Sequence, residues 1–325
     1  MTGMIEGLVS TIIPVHNRAA MLREAVASVL AQTYRPIEIL IIDDGSTDET
    51  GLVSDQLAES YPKEIRVIHQ ANAGAGLARE AGRQAARGEF IQHLDSDDLL
   101  LPRKFERQVA GLHEHPECSV SYGKTRYRHA DGRLEPEPWK ASGMKVETMF
   151  PLFLLFRWWD TPTPLYRASL CQQAGPWTDL RIDEDWEYDC RIASLGVRLH
   201  YCEEFVVEVR DHNDHRLCRG LALDPWRMRE RARARTLMFS HGRRANIDEN
   251  SPEMKAVARE LFLLARQCGA AGLERESREL FSLSREASGQ LRAEGLDYKA
   301  YHFLARILGW SQLGKLACYS DSLRR

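Results

Sequence analysis

No apolar run in the 325 residues reaches the ~18 that a membrane-spanning helix needs, so no span is expected. Neither sign of charge prevails. Lys and Arg number 44 and Asp and Glu 47, a net charge of -3, which excludes a whole-protein attraction to nucleic acid. The seven cysteines (118, 171, 190, 202, 218, 268 and 318) form no CxxC pair. That pattern excludes a zinc ribbon and fits reduced thiols better than a disulfide framework. The N-terminal stretch "MTGMIEGLVSTIIPVHN" has no basic run and no small-residue cleavage site. No signal peptide is therefore expected, and the expected location is the cytoplasm. What remains is ordinary for a globular chain: 43% hydrophobic and 28% charged residues, enough for one large domain or a domain with an appendage.

The first hundred residues alternate between two patterns. "LVSTIIPV", "IEILIIDD", "IRVIHQ" and "EFIQHLD" are short, apolar and partly β-branched, as buried strands are. Between them, "AAMLREAVASVLAQ", "TDETGLVSDQLAESY" and "GAGLAREAGRQAARG" have helical spacing, the last closed by Gly88 as a C-cap. Repeated β-α-β units predict an α/β fold with a mostly parallel sheet and flanking helices. Ligands of such sheets bind beyond the carboxyl ends of the strands. All four strands carry a polar cluster at that end: "PVHN", "DDGSTD", "NAGAG" and "DSDD".

Later the pattern loosens. "CSVSYGKTRYRHADGRLEPEPW" reads as strands around a turn at "ADGR". "VETMFPLFLLFRWW" reads as an apolar helix, and "VRLHYCEEFVVEVRDH" as further strands. From Pro225 the composition turns basic and helical, with two helices around "CGAAGL". The expected organisation is a domain over 1–224, in halves of about 1–122 and 123–224, followed by an all-helical region over 225–325.

Each polar cluster has a plain and a functional reading. Asp43 and Asp44 close a strand, and Gly45 with Ser46 or Thr47 would make an ordinary capped turn. Two adjacent acids exceed what that turn needs and suit a ribose hydroxyl or a base N–H. Gly74 and Gly76 precede a helix that could hold an anion, with Arg79 a turn further on, but the spacing is neither GxGxxG nor a P-loop. Asp95, Asp97 and Asp98 fall within four positions. They suit a hard divalent cation, which reverses the repulsion among them, or else an acidic helix start. Acids at 183, 184, 185, 187 and 189 start another helix, where one could act as a general base with Trp186 beside it. His212 and His215 follow; either would favour Mn²⁺ over Mg²⁺ in a carboxylate site.

Taken in order, "VSTIIPVHNRAAMLREAVASVLAQTYRPIEILIIDDGSTDET", "NAGAGLAREAGRQAARGEFIQHLDSDD" and "EDWEYDCRI" resemble the family 2 glycosyltransferases with the GT-A fold, over about residues 8–215. The resemblance implies a nucleotide-sugar donor, probed first as a UDP-sugar, a divalent metal (Mn²⁺ or Mg²⁺) and inversion at the anomeric carbon. It implies that Pro14, Val15, His16 and Asn17 line the nucleotide pocket. His16 departs from the Tyr or Phe usual there, which alters stacking on the base. Asp44, with Asp43, would hold base or ribose, and Arg79 is the nucleotide-side arginine. Asn72, Gly74 and Ser96 are counted with the same pocket. In the DxD motif, Asp95 would face ribose or metal and Asp97 would bind the metal, with His212 ahead of His215 as a further ligand. Asp185 would be the catalytic base. Glu184 and Trp186 would stand on the acceptor side, with Trp158 and Trp159 either stacking on a sugar or packing in the core.

The expected acceptor is a saccharide or lipid-linked molecule. The C-terminal "YHFLARILGWSQLGKLACYSDSLRR" leaves open a peripheral contact with the inner face of a membrane, and a homo-oligomer is equally open. Two competing readings are a sugar nucleotidyltransferase, disfavoured because "PVHNRAAML" is not a Gly-rich basic phosphate loop, and a non-catalytic binding protein on a decayed transferase fold.

Overall fold

A computed structural model describes residues 4–211, 223–293 and 295–322. The chain divides into two compact units, one of Met1–Met149, Arg157–Tyr188 and Leu195–Asp214, the other of Phe150–Phe156, Asp189–Ser194 and His215–Arg325.

The first unit opens with β1 (Ile5–Val15), α1 (Ala19–Leu30), β2 (Ile37–Asp44), α2 (Thr50–Ser60), β3 (Ile65–Gln70), α3 (Ala75–Ala85) and β4 (Gly88–His93). There follow β5 (Leu99–Leu100), α4 (Lys104–Glu114), β6 (Cys118–Arg128), β7 (Leu165–Arg167), α5 (Ala168–Ala174), α6 (Glu184–Ala193) and β8 (Arg198–Arg210). Eight strands make one sheet in the order β3-β2-β1-β4-β7-β6-β8-β5. The expected α/β architecture is present. The β3-β2-β1-β4 part is wholly parallel, β7 runs antiparallel to β4 and β6, and β6 and β8 are parallel to each other.

Every residue of β2 is buried, as is β1 from Leu8 onward. This is why both read as continuous apolar runs: a parallel strand is covered on both faces. In α1 the buried residues Ala19, Leu22, Ala25, Val26 and Val29 recur at helical spacing. The chain turns from β1 to β2 on one side and to β4 on the other. The strand order therefore reverses beside β1, where open α/β sheets bind their ligands.

One expectation fails here. "VETMFPLFLLFRWW" is not a helix; its only helical piece is a 3-10 turn at Leu152–Leu154. Pro151 disfavours the helical conformation in the residue before it and removes a donor, so the run makes only one short turn, closed by Leu154 N to Pro151 O at 3.1 Å and Leu155 N to Leu152 O at 2.9 Å.

The second unit is helical: α7 (Pro225–Arg244), α8 (Pro252–Ala270), α9 (Glu274–Ala287), α10 (Gln290–Ala293), α11 (Leu296–Leu308) and α12 (Trp310–Ser322). Two of its helices begin by the same rule. The Asp224 carboxylate accepts from Arg227 N before Pro225, and the Ser251 hydroxyl from Met254 N before Pro252. No helix among the described residues is long and apolar enough to cross a membrane.

Candidate active site

The loops after β1 and β2 are sewn together. Asn17 sits in the left-handed region at φ 53°, which Asn tolerates better than most residues. Its backbone N–H donates to Ser46 Oγ at 3.0 Å, and its Oδ1 accepts from Thr47 N at 2.8 Å. His16 Nδ1 lies 2.9 Å from Asp44 O. His16 and Asn17 are exposed, whereas Pro14 and Val15 are buried at the end of β1.

The two acids of β2 differ in role. Asp43 accepts from Ser46 N and from His69, a partner that itself also reaches Asp55. Burial alone would raise the Asp43 carboxyl, but the Ser46 and His69 hydrogen bonds prevail and hold it below its ordinary value. Asp44 organises the third loop: Oδ1 accepts from Gln70 Nε2 at 2.7 Å and Ala73 N at 2.8 Å, and Oδ2 from Gly74 N at 2.8 Å. A carboxylate offers about four acceptor sites. These three bonds leave about one of them unused. Gly74 is required by its backbone, at φ +93°, and a Cβ there would push on the Arg181 side chain, whose Cδ would lie 2.7 Å away. Arg181 in turn donates to Asn72 Oδ1 at 3.0 Å.

The acids after β4 face arginines. Arg18 meets Asp97 Oδ2 at 2.5 Å, and Arg79 meets Asp95 Oδ1 at 2.6 Å. Arg210 donates from Nε to Asp97 O at 2.6 Å and from its backbone N to Asp98 Oδ1 at 3.2 Å. Ser96 and Asp98 are buried. Burial first, then the charges of Asp97 and Asp95, pushes the Asp98 carboxyl well up.

Arg79 joins this cluster to the start of α6. Its other terminal nitrogen donates to Glu184 Oε1 at 2.9 Å, and its guanidinium lies 5.0 Å from the Trp177 ring. Asp185, the next residue, accepts on Oδ2 from Arg157 at 2.6 Å and Thr161 Oγ1 at 3.0 Å, and on Oδ1 from Trp186 N at 2.7 Å. The two neighbours are driven apart. Burial and then the Asp185 charge raise Glu184. For Asp185, burial pushes upward but is outweighed by Arg157, then Arg79 and Lys140, so its carboxyl falls to about 2. Lys140 also pairs with Asp160 at 2.5 Å.

The sequence-predicted residues of the four loops and of α6 are thus brought together by direct contacts. Trp158 and Trp159 are not part of that surface: both are 0% exposed and pack with ring centroids 5.4 Å apart, Trp159 also against Tyr122. Core packing, the plain reading of this pair, is what their burial fits. His212 and His215 lie outside the described residues. Sequence reading missed Arg18, Lys140, Arg157, Asp160, Thr161, Arg181 and Arg210. Arg18 and Arg157 lay beside quoted motifs, but nothing in the spacing says that a side chain 79 or 28 residues away is the partner.

A parallel half-sheet with carboxylates converging beyond its strand ends, and an acidic helix start tied to them, is an arrangement of the GT-A fold class. The profile described as "Glycosyl transferase family 2" matches residues 10–171, and through this segment the chain belongs to that family. It is 50% identical over 101 residues to an uncharacterised glycosyltransferase of Nostoc sp., covering 31% of each chain. It is 36% identical over 128 residues to the glycosyltransferase GlyG of Streptococcus pneumoniae, covering 39% of this chain and 42% of that one. The matched segment thus spans less than half the length of these relatives. Among solved structures, Staphylococcus aureus TarS 1–349 with UDP-GlcNAc superposes with TM-score 0.66 at 18% identity, covering 96% of this chain and 92% of that one. The mannosyltransferase PcManGT of Pyrobaculum calidifontis, with GDP-Man and Mn²⁺, gives 0.56 at 18% identity, covering 97% and 86%. At such identities the likeness is one of fold.

Proposed function

We propose that this protein is an inverting, metal-assisted glycosyltransferase that moves a sugar from a nucleoside-diphosphate donor to a hydroxyl of a saccharide or glycolipid-type acceptor. The observation that carries the reading is the Arg79 bridge between Asp95 and Glu184, which sets the acids of the donor side beside Asp185. Residues 1–224 would be the catalytic domain, its donor half running to about 122, and 225–325 a helical region. The uridine nucleotides named with the TarS structures favour a UDP-sugar.

The carboxylates suit a hard divalent ion. They are oxygen ligands, and Asp97 and Asp95 already hold cationic groups, Arg18 and Arg79. Among the described residues no group of three His, Cys, Asp or Glu is assembled for a metal. Asp97, with Asp95 near it and His212 outside the described residues, would hold Mn²⁺ or Mg²⁺, whose chemistry when bound is to neutralise the diphosphate leaving group.

The chain's own residues perform the rest. The free lone pair on Asp44 and the loop it holds fix the nucleotide end. Arg18, released from Asp97, is placed to meet phosphate charge. On the acceptor side, the attacking hydroxyl replaces Arg157 and Thr161 at Asp185 Oδ2 and gives its proton to that oxygen as the new glycosidic bond forms and the anomeric C–O bond to the diphosphate breaks. A base so positioned contributes roughly 10²–10⁴-fold. One displacement inverts the centre.

The test is a thermal-shift screen of nucleoside diphosphates and nucleotide-sugars with Mn²⁺, Mg²⁺ or EDTA. A ligand that binds only the folded state raises the midpoint by mass action. The expected result is a metal-dependent shift with a uridine nucleotide, lost in Asp97→Ala and kept in Asp185→Asn, the latter without transfer. No shift with any nucleotide would favour the non-catalytic reading.

A further inference from the structure

Helix α11 has two apolar faces. Tyr298, Tyr301 and Ala305 point inward, where both tyrosine rings pack with Phe262 and Phe281. Leu296, Phe303 and Ile307 point outward at 85%, 62% and 63% exposure. Their spacing, i, i+7 and i+11 with Ala300 at i+4, places them on one stripe opposite the buried face. Leu304 and Leu308, also exposed, widen it. A helix resting on its own core should turn polar residues to water. This one turns leucine, phenylalanine and isoleucine.

Along one edge of the stripe run Lys299, His302 and Arg306, and the last two open into a concavity of about 590 Å³ between α9 and α11. Arg278, Arg285, His302 and Arg306 line it over a floor that includes Phe281 and Trp310. A smaller hollow of about 160 Å³ adjoins it, sharing Arg285, His302 and Arg306 and adding Lys299 and Phe303. No carboxylate lines either one, and their charged walls are basic, although Arg278 also reaches Glu274 at 3.7 Å. Phe303 belongs both to the hollow and to the exposed stripe.

An apolar stripe alone would suit many partners, and a basic hollow alone would suit any small anion. Side by side on one helix they fit an anionic amphiphile. A second copy docked stripe to stripe in an isologous, antiparallel pairing would set Lys299 of each copy against Arg306 of the other along the seam, like charge on like. We infer that α11 docks this unit on an anionic lipid bilayer. Phe303, Ile307 and Leu296 enter the acyl boundary, and headgroup phosphates are received by Arg306, Arg285 and Arg278. The inference stands on these helices alone and is independent of which sugar the protein transfers.

The test is co-sedimentation of the full chain with phosphatidylcholine vesicles and with vesicles in which part of that lipid is replaced by phosphatidylglycerol, at low and high salt. Binding to the anionic vesicles, weakened by salt and at least ~10-fold stronger than to the neutral ones, is expected from the basic wall. Phe303→Ser with Ile307→Ser should abolish it. Arg306→Glu should weaken it by more than the roughly fivefold expected for one lost cation near the surface. All these side chains face outward, and an unchanged thermal midpoint confirms that the variants fold. Failure to bind the anionic vesicles would overturn the inference, as would binding that persists in both variants. So would a stripe-dependent dimer in sedimentation velocity without vesicle binding.

Discussion

Arg157 donates to Asp185 Oδ2 at 2.6 Å, so the carboxylate proposed as the base rests in an ion pair. The pairing has a cost and a use. It keeps Asp185 ionised despite burial, with its carboxyl near 2. It also makes the oxygen a weak base until an acceptor hydroxyl displaces the guanidinium.

The pH dependence of kcat/KM follows from this pair. That quantity reports groups of the free enzyme. With a carboxyl near 2, Asp185 is deprotonated at every accessible pH and contributes no acid limb. In Arg157→Met the largest of the charges opposing burial is gone, so the carboxyl should rise and an acid limb move up toward the accessible range, activity falling as pH falls through it. The same sign governs stability: a depressed carboxyl stabilises the fold above its ordinary value and loses that contribution as pH drops toward 2. Rate profiles of the two proteins, taken with saturating donor, decide the matter. An acid limb shared unchanged by both would assign it to another group.

A second prediction concerns Arg18, whose guanidinium stands 2.5 Å from Asp97 Oδ2. A divalent cation must displace it to reach that carboxylate. Arg18→Met should therefore bind Mn²⁺ more tightly than wild type in the absence of nucleotide, while binding a nucleoside diphosphate less well because a phosphate-facing cation is gone. Calorimetric titrations of metal alone and of nucleotide at saturating metal separate the two effects. If metal affinity is unchanged, Arg18 does not guard the site.

The strands and the polar loops at their ends were legible because burial on both faces forces continuous apolar runs, and because turns demand Gly, Asn and Asp at fixed offsets. The acids themselves stood out for the same reason: nothing in a turn calls for Asp43 beside Asp44. Their partners were not legible. Arg79 links residues 16 and 105 positions away, and only the folded sheet sets these side by side. The apolar segment around Leu152 misled in a different way, because hydrophobic content reports burial and Pro151 decides the backbone. In α11 the apolar content was visible, yet which leucines face water depends on where Tyr298 and Tyr301 find their core.

Tryptophan substitutions test the acceptor side and the core separately. Trp159 is wholly buried against Trp158 and Tyr122, so Trp159→Ala should cost about 3–5 kcal/mol of stability and lower the urea midpoint. Trp186 begins α6 beside Asp185 and is partly exposed, donating its backbone N–H to the Asp185 carboxylate at 2.7 Å. That bond is made by the main chain and survives Trp186→Ala. The substitution should then leave the unfolding free energy within about 1 kcal/mol of wild type and raise the KM for acceptor more than that for donor. If instead Trp186→Ala unfolds the protein, or Trp159→Ala spares stability and raises only the acceptor KM, the roles assigned to the two rings are exchanged.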